Sequence, residues 1–145
     1  MWQGQGANGR LAIIAHTRRD GHMSASDIQF FFTMRNQIKL YHWQTEVYAR
    51  HKATDHVIKS LDESIDKYVE VYMGKYGRPK LSSRNNTILL KNFTEKNAVN
   101  FVKECIELLN IQLIRGLKKT DTDLINVRDE MLGELNQLLY LFSLR

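Results

Sequence analysis

The sequence predicts an all-α protein, a single four-helix bundle in which one connection is far longer than the others. Three observations predict it. Apolar residues recur at helical spacing through four segments, strand-type alternation is absent, and a single proline stands among 145 residues. The connections then fix the topology, because short joints make antiparallel neighbours and a long one can cross the bundle.

The first helix is predicted over about 25–48, opening on Ser24 as cap with Asp27 three residues later and carrying apolar residues at 28, 31, 38 and 41–48. A short break precedes the second, about 52–74, in which Ile58, Leu61, Ile65, Tyr68, Val69 and Tyr72 form one stripe. It stops at Gly74, Gly77 and Pro79. Residues 75–93 are polar and broken, with an apolar knot at 88–90 read as a short helix. The third helix runs from a Thr94 cap to about Gly116 with Val99, Phe101, Val102, Ile106, Leu109 and Leu113, and the fourth from Asp121 or Thr122 to the C-terminus.

Each helix is about 30 Å long, and a link of about 19 residues at up to about 3.3 Å each spans that length. The third helix is thus free to start at the end where the second began. A bundle with one such connection, the B–C crossover when its helices are lettered A to D, has the ferritin-like topology.

Composition narrows the function classes. With 43% hydrophobic and 26% charged residues the chain reads as one soluble domain, and no apolar run reaches the 18–20 or so residues of a membrane span. The lone Cys105 excludes an internal disulfide and favours a reducing, cytoplasmic setting. Residues 1–22, glycine-rich and aperiodic with Gly-His-Met at 21–23, read as a disordered leader of cloning origin, leaving 23–145 as the domain. That leader carries three of the 21 Lys+Arg and one of the 16 Asp+Glu, so the pI of about 9.4 overstates the basicity of the rest.

The second helix holds the candidate chemistry. His51 and Asp55 are four apart, Asp66 and Glu70 are four apart, and eleven residues, about three turns, separate the pairs. All four project from the flank of the apolar face, where a helix meets a neighbouring subunit as well as its own core. His42 falls in line with Phe31, Arg35 and Ile38 and so faces inward or into an interface. Imidazole with carboxylate is a ligand set suited to iron, and zinc accepts it too. A core histidine and a surface Asp–Glu pair are the competing readings, and spacing leaves the choice open. The ExxH element that a ferritin or ribonucleotide-reductase bundle supplies twice is absent, which disfavours a di-iron site within one subunit.

Residues 40–144 resemble the Dps-type miniferritins, the DNA-binding proteins from starved cells within the ferritin-like superfamily. In that family a helix-ending His-Trp precedes His-x3-Asp, Asp-x3-Glu and a Gly-Gly-x-Pro-like turn; here these are His42-Trp43, His51/Asp55, Asp66/Glu70 and Gly77-Arg78-Pro79. The fourth helix, TDLINVRDEMLGELNQLLYLF, is similar as well.

The resemblance implies a ferroxidase centre between subunits, with His42, His51 and Asp55 of one chain facing Asp66 and Glu70 of a two-fold mate. It implies a homodimer that builds a shell of twelve chains. Iron, at a di-iron or mono-iron site, would be oxidised by hydrogen peroxide or dioxygen and stored, protecting against oxidative stress. Trp43 would accept an oxidising hole, against a competing role in packing. The loop between His42 and His51 is about three residues shorter than the family's, and the Lys/Arg-rich tail that carries DNA binding is missing. DNA, as a nucleoid-associated partner, is therefore the weaker expectation, resting on Lys75, Arg78, Lys80 and Arg84 or on Arg115, Lys118 and Lys119. The rival functions are a non-catalytic ferritin-like shell and a nucleic-acid-compacting protein.

Overall fold

The computed structural model describes residues 25–145 and, ahead of them, the backbone of two short strands, β1 (Trp2–Gln5) and β2 (Leu11–Ile13). These pair antiparallel with Trp2 opposite Ile13. The all-α reading did not include them, since stretches of four and three residues are too short to display alternation. The rest of the 1–22 leader and the Ser24 cap lie outside the described residues.

Four helices follow: α1 (Ala25–Gln44), α2 (Tyr48–Tyr76), α3 (Glu95–Ile111) and α4 (Thr122–Phe142). The first joint is three residues, tightened by a hydrogen bond from the Val47 N–H to Thr45 Oγ1 at 3.1 Å. Consequently α1 stops at Gln44, short of 48, and α2 starts at Tyr48, ahead of 52, so His51 belongs to the first turn of α2. At its other end α2 closes on Gly77, whose φ of 101° is left-handed and whose N–H bonds Met73 O at 3.1 Å.

Thr94 caps α3 as predicted. Its hydroxyl accepts from Asn97 N–H at 3.1 Å while Asn97 Oδ1 accepts from Thr94 N–H at 3.3 Å, a reciprocal capping box. The helix ends at Ile111, and turns carry the chain through Gly116, also left-handed at φ 91°. Asp121 stands at the N-cap position of α4 without making a cap bond. Its carboxylate is committed elsewhere, taking Lys75 Nζ at 2.7 Å, Tyr76 OH at 2.7 Å and Lys118 N–H at 2.8 Å.

Cross-helix contacts give every direction. Arg35 reaches Asp62, so α1 and α2 are antiparallel. Lys75 meets Asp121, Ser64 meets Glu134 and Arg50 meets Phe142 O, which makes α2 and α4 antiparallel. The end of α1 meets the start of α3 through Tyr41 and Glu95. Arg128 of α4 donates to Leu109 O of α3. The order is up, down, down, up, and the α2–α3 link must travel the length of the bundle.

A row of glutamines on α1 guides that link. Gln29 Nε2 donates to Thr87 O at 2.6 Å and its Oε1 accepts from Asn85 Nδ2 at 2.9 Å. Gln37 brackets Lys91, donating to its O at 2.6 Å and accepting its N–H at 2.9 Å. Gln44 donates to Asn92 Oδ1 at 2.7 Å. The apolar knot at 88–90 therefore forms no helix where a short one was expected: flanking backbone groups bond α1 side chains, and Leu89 and Leu90 are exposed.

Inside lie Met34 and Ile38 of α1, Leu61, Tyr68 and Tyr72 of α2, Val102 and Leu109 of α3, and Leu124, Met131 and Leu135 of α4, all buried. Among the described residues no helix is long and apolar enough to cross a membrane. Cys105 is a buried free thiol, and burial pushes its pKa well up.

Candidate functional site: a locked histidine pair

The three-residue joint brings the last turn of α1 against the first turn of α2. His42 and His51 stack there, ring centroids 4.0 Å apart and planes 16° from parallel. His42 Nδ1 lies 2.8 Å from His51 O and 2.9 Å from Thr54 Oγ1, and His51 Nδ1 lies 2.9 Å from His42 O. A carbonyl oxygen only accepts, so each Nδ1 carries the hydrogen. In the neutral rings both lone pairs then sit on Nε2, the state in which a second partner on Nδ1 orients a metal-binding histidine.

His42 is buried and His51 half-buried. Burial holds the His42 pKa below its ordinary value of 6.5, outweighing the bond to His51 O that would raise it. The neutral, ligand-competent form is thereby favoured. Asp55, one turn after His51 on the same face, is half-buried; a hydrogen bond from Lys59 Nζ, 3.4 Å away, leads the causes that lower its carboxyl pKa.

Asp66 and Glu70 are elsewhere. They are exposed on α2, and eleven residues of helix put Asp66 roughly 16 Å along the axis from Asp55. Among the described residues no group of three or more His, Cys, Asp or Glu side chains is placed to hold a metal. The stacked histidines with Asp55, and the Asp66/Glu70 pair, thus lie apart on the one chain. Asp66 borders a groove of about 790 Å³ between α1 and α2, whose apolar wall includes Phe31, Ile65 and Val69. Phe32 stands at this groove 54% exposed. Arg35 binds Asp62 there through both carboxylate oxygens, at 2.9 and 3.2 Å.

Trp43, next to His42, turns outward and is 67% exposed, with Lys39 Nζ 5.3 Å from its ring centroid. Of the basic residues singled out for phosphate contact, Lys75 is engaged by Asp121 and Asp123, both at 2.7 Å.

Four residues around the histidine pair escaped the sequence reading. Thr54 completes the His42 lock, and its hydroxyl in turn donates to Arg50 O at 2.7 Å. Tyr41 and Arg50, the residues immediately before each histidine, converge on Glu95 at the start of α3. A threonine three residues after a histidine carries a faint local signal; Glu95, 44 residues beyond His51, carries none.

A family model described as a family of unknown function (DUF5856) matches residues 42–142, and the chain belongs to that family. The match begins at His42 and takes in Asp55, Asp66 and Glu70. A stretch of 37 residues is also 49% identical to the uncharacterized 14.6 kDa protein in the mobD-ri intergenic region of Enterobacteria phage T4. That stretch covers 26% of this chain and 29% of the phage protein, so the chain spans under a third of the relative it matches. No solved structure matches.

Proposed function

We propose that this protein is a ferritin-like, Dps-type ferroxidase, binding iron(II) as substrate between two copies of itself and oxidising it with hydrogen peroxide or dioxygen. The ferric product would be stored inside a shell built from such pairs, twelve chains when closed. The observation that carries this reading is the histidine lock, which holds two imidazoles ready as ligands beside Asp55. The up-down-down-up order with one long crossover supports it, being the arrangement of ferritin-like bundles.

The spacing along α2 supports the two-copy site. The midpoint of residues 51 and 70 is also the midpoint of 55 and 66, between Ser60 and Leu61. An antiparallel crossing of two α2 helices about a two-fold axis at that point sets His51 against Glu70 and Asp55 against Asp66 of the other copy in one step. Lys59 and Asp62 are related by the same axis, so unlike charges meet at its centre. At 100° per residue these six positions occupy an arc of about 100°. Such a contact would also cover Phe32 and the apolar groove beside Asp66.

The stacked rings support a centre that takes two ions. A metal bonds nitrogen at about 2 Å in the ring plane, and planes 16° apart with centroids 4.0 Å apart cannot both contain one ion. In this reading each histidine serves its own ion, and the two ions together would act as a two-metal clamp. Two iron(II) ions supply the two electrons that, with two protons, reduce one peroxide to two waters.

The test is stopped-flow absorbance of anaerobic iron(II) mixed with the protein and peroxide, or with air. Oxidation well above the protein-free rate, lost in His51→Ala and in Asp66→Ala with helicity retained, is the expected result. A wild-type rate equal to buffer would leave a non-catalytic shell.

A further inference from the structure

We infer that the α2–α3 link is a docking strip for an anionic lipid surface, its leucines entering the acyl boundary while its cations hold headgroup phosphates. Leu81, Leu89 and Leu90 are 56%, 50% and 46% exposed on it. From Val71 to Thr94 the chain carries Lys75, Arg78, Lys80, Arg84 and Lys91 and no aspartate or glutamate. Lys75 is taken by Asp121 and Asp123. Arg78, Lys80 and Arg84 are exposed, and among the described residues no carboxylate pairs with them. The strip therefore offers apolar side chains and unneutralised positive charge together, which calls for a partner that is apolar and negative at once.

The leucines are held out by the fold. Gln29 takes Thr87 O and Gln37 takes both backbone groups of Lys91, so Ile88, Leu89 and Leu90 are clamped at either end. Asn85, buried against Gln29, anchors the stretch that follows Leu81. A link pinned in this way cannot fold its leucines back inside, and little ordering is left for binding to do. At 100° per residue Gln29, Gln37 and Gln44 fall within an arc of about 80° on α1. Phe31, Phe32 and Arg35, which line the groove, are centred roughly 150° away from that arc. The face assigned to a second copy and the strip assigned to lipid do not compete, and this inference stands without the iron reading.

Lipid fits this strip better than nucleic acid does. A phosphate backbone would satisfy the guanidinium and ammonium groups and leave three leucines in water. Bases need exposed aromatic faces to stack on, and Phe93, the one aromatic residue of the link, is half-buried against Phe101. A headgroup layer accepts both kinds of side chain, because lysine and arginine stems lie along the acyl boundary with their charges at the phosphates. Since no described helix is long and apolar enough to cross a membrane, the contact is with the surface of one leaflet.

The test floats the full chain with vesicles of equal parts phosphatidylglycerol and phosphatidylcholine, and with pure phosphatidylcholine vesicles as the neutral control. Binding to the charged vesicles alone is expected. Each cation at an anionic surface is worth roughly fivefold in affinity, so Arg78→Ala/Lys80→Ala/Arg84→Ala should weaken binding roughly a hundredfold. Leu89→Ser/Leu90→Ser keeps every charge and should weaken it by about tenfold or more. All five side chains are exposed, so helicity should be unchanged in both variants. Absence of binding to the charged vesicles overturns the proposal. Binding that the leucine pair leaves unchanged also overturns it, marking instead a patch for any polyanion, which duplex DNA would then occupy with the same dependence on the three cations. Binding that the cation triple leaves unchanged overturns it as well, since Arg10, Arg18 and Arg19, common to every variant, would then be its source.

Discussion

His42 and His51 each donate Nδ1–H to the other's backbone carbonyl oxygen, at 2.8 and 2.9 Å, and stack face to face as they do so. The arrangement ties the end of α1 to the start of α2 and fixes both tautomers at once. Its consequence is stoichiometric. If the proposed centre forms, anaerobic titration of the protein should find two tightly bound ferrous ions per chain in wild type and one in His51→Ala. A single equivalent in wild type would contradict the two-ion geometry.

The glutamine row on α1 predicts a specific weakness. Gln37 satisfies both backbone groups of Lys91, and Gln37→Leu would leave an N–H and a C=O without it. The expected cost is about 1–3 kcal/mol for each group that water does not recover. Urea unfolding should show the loss, and amide exchange at Lys91 should accelerate while the α4 amides stay protected.

That same row explains why α1 was the hardest helix to read. Its buried positions include Gln29, Thr33 and Gln37 beside Phe30, Phe31 and Met34, so no clean apolar stripe exists. Gln29 and Gln37 are inside because the α2–α3 link, some fifty residues later, lies on them, whereas the Thr33 hydroxyl bonds Gln29 O within its own helix. By contrast α3, with its Thr94 cap and regular apolar face, was legible at its start, though it ends at Ile111, five residues before the expected Gly116, and the long α2–α3 crossover was legible too. The lock between His42 and His51 was not. It depends on where the joint falls: the predicted helix ends put it at about 49–51, and it lies at 45–47, which places His51 inside α2.

Glu134 supplies a pH prediction. Ser64 Oγ donates to its Oε1 at 3.2 Å, while the buried Oε2 has no hydrogen-bond partner among the described residues. Burial raises its pKa above the ordinary 4.5, with the charges of Glu130 and Glu63 adding to the effect. The folded state then binds the proton more readily than the unfolded chain, so this group favours folding as pH falls towards 4.5 and disfavours it at neutral pH. Glu134→Gln should be the more stable protein at pH 7, by about 1 kcal/mol, with an advantage that shrinks as pH falls. A difference independent of pH would contradict this.

Core packing predicts a contrast within one bundle. Leu135 is fully buried, and Leu135→Ala should cost about 2–5 kcal/mol. Ile111, more than half exposed at the end of α3, should tolerate alanine within about 0.5 kcal/mol. Equilibrium denaturation of the two variants checks both values.

The claim at the centre of this account is that neither half-site works without the other copy's. Complementation tests it most directly. The His42→Ala/His51→Ala chain and the Asp66→Ala/Glu70→Ala chain are each inactive by expectation. Unfolded together and refolded as a mixture, random pairing makes about half the dimers mixed, each with one intact centre of two, so about a quarter of the wild-type iron-oxidation rate should return. A mixture that forms mixed dimers yet oxidises iron no faster than either variant alone would contradict the shared centre.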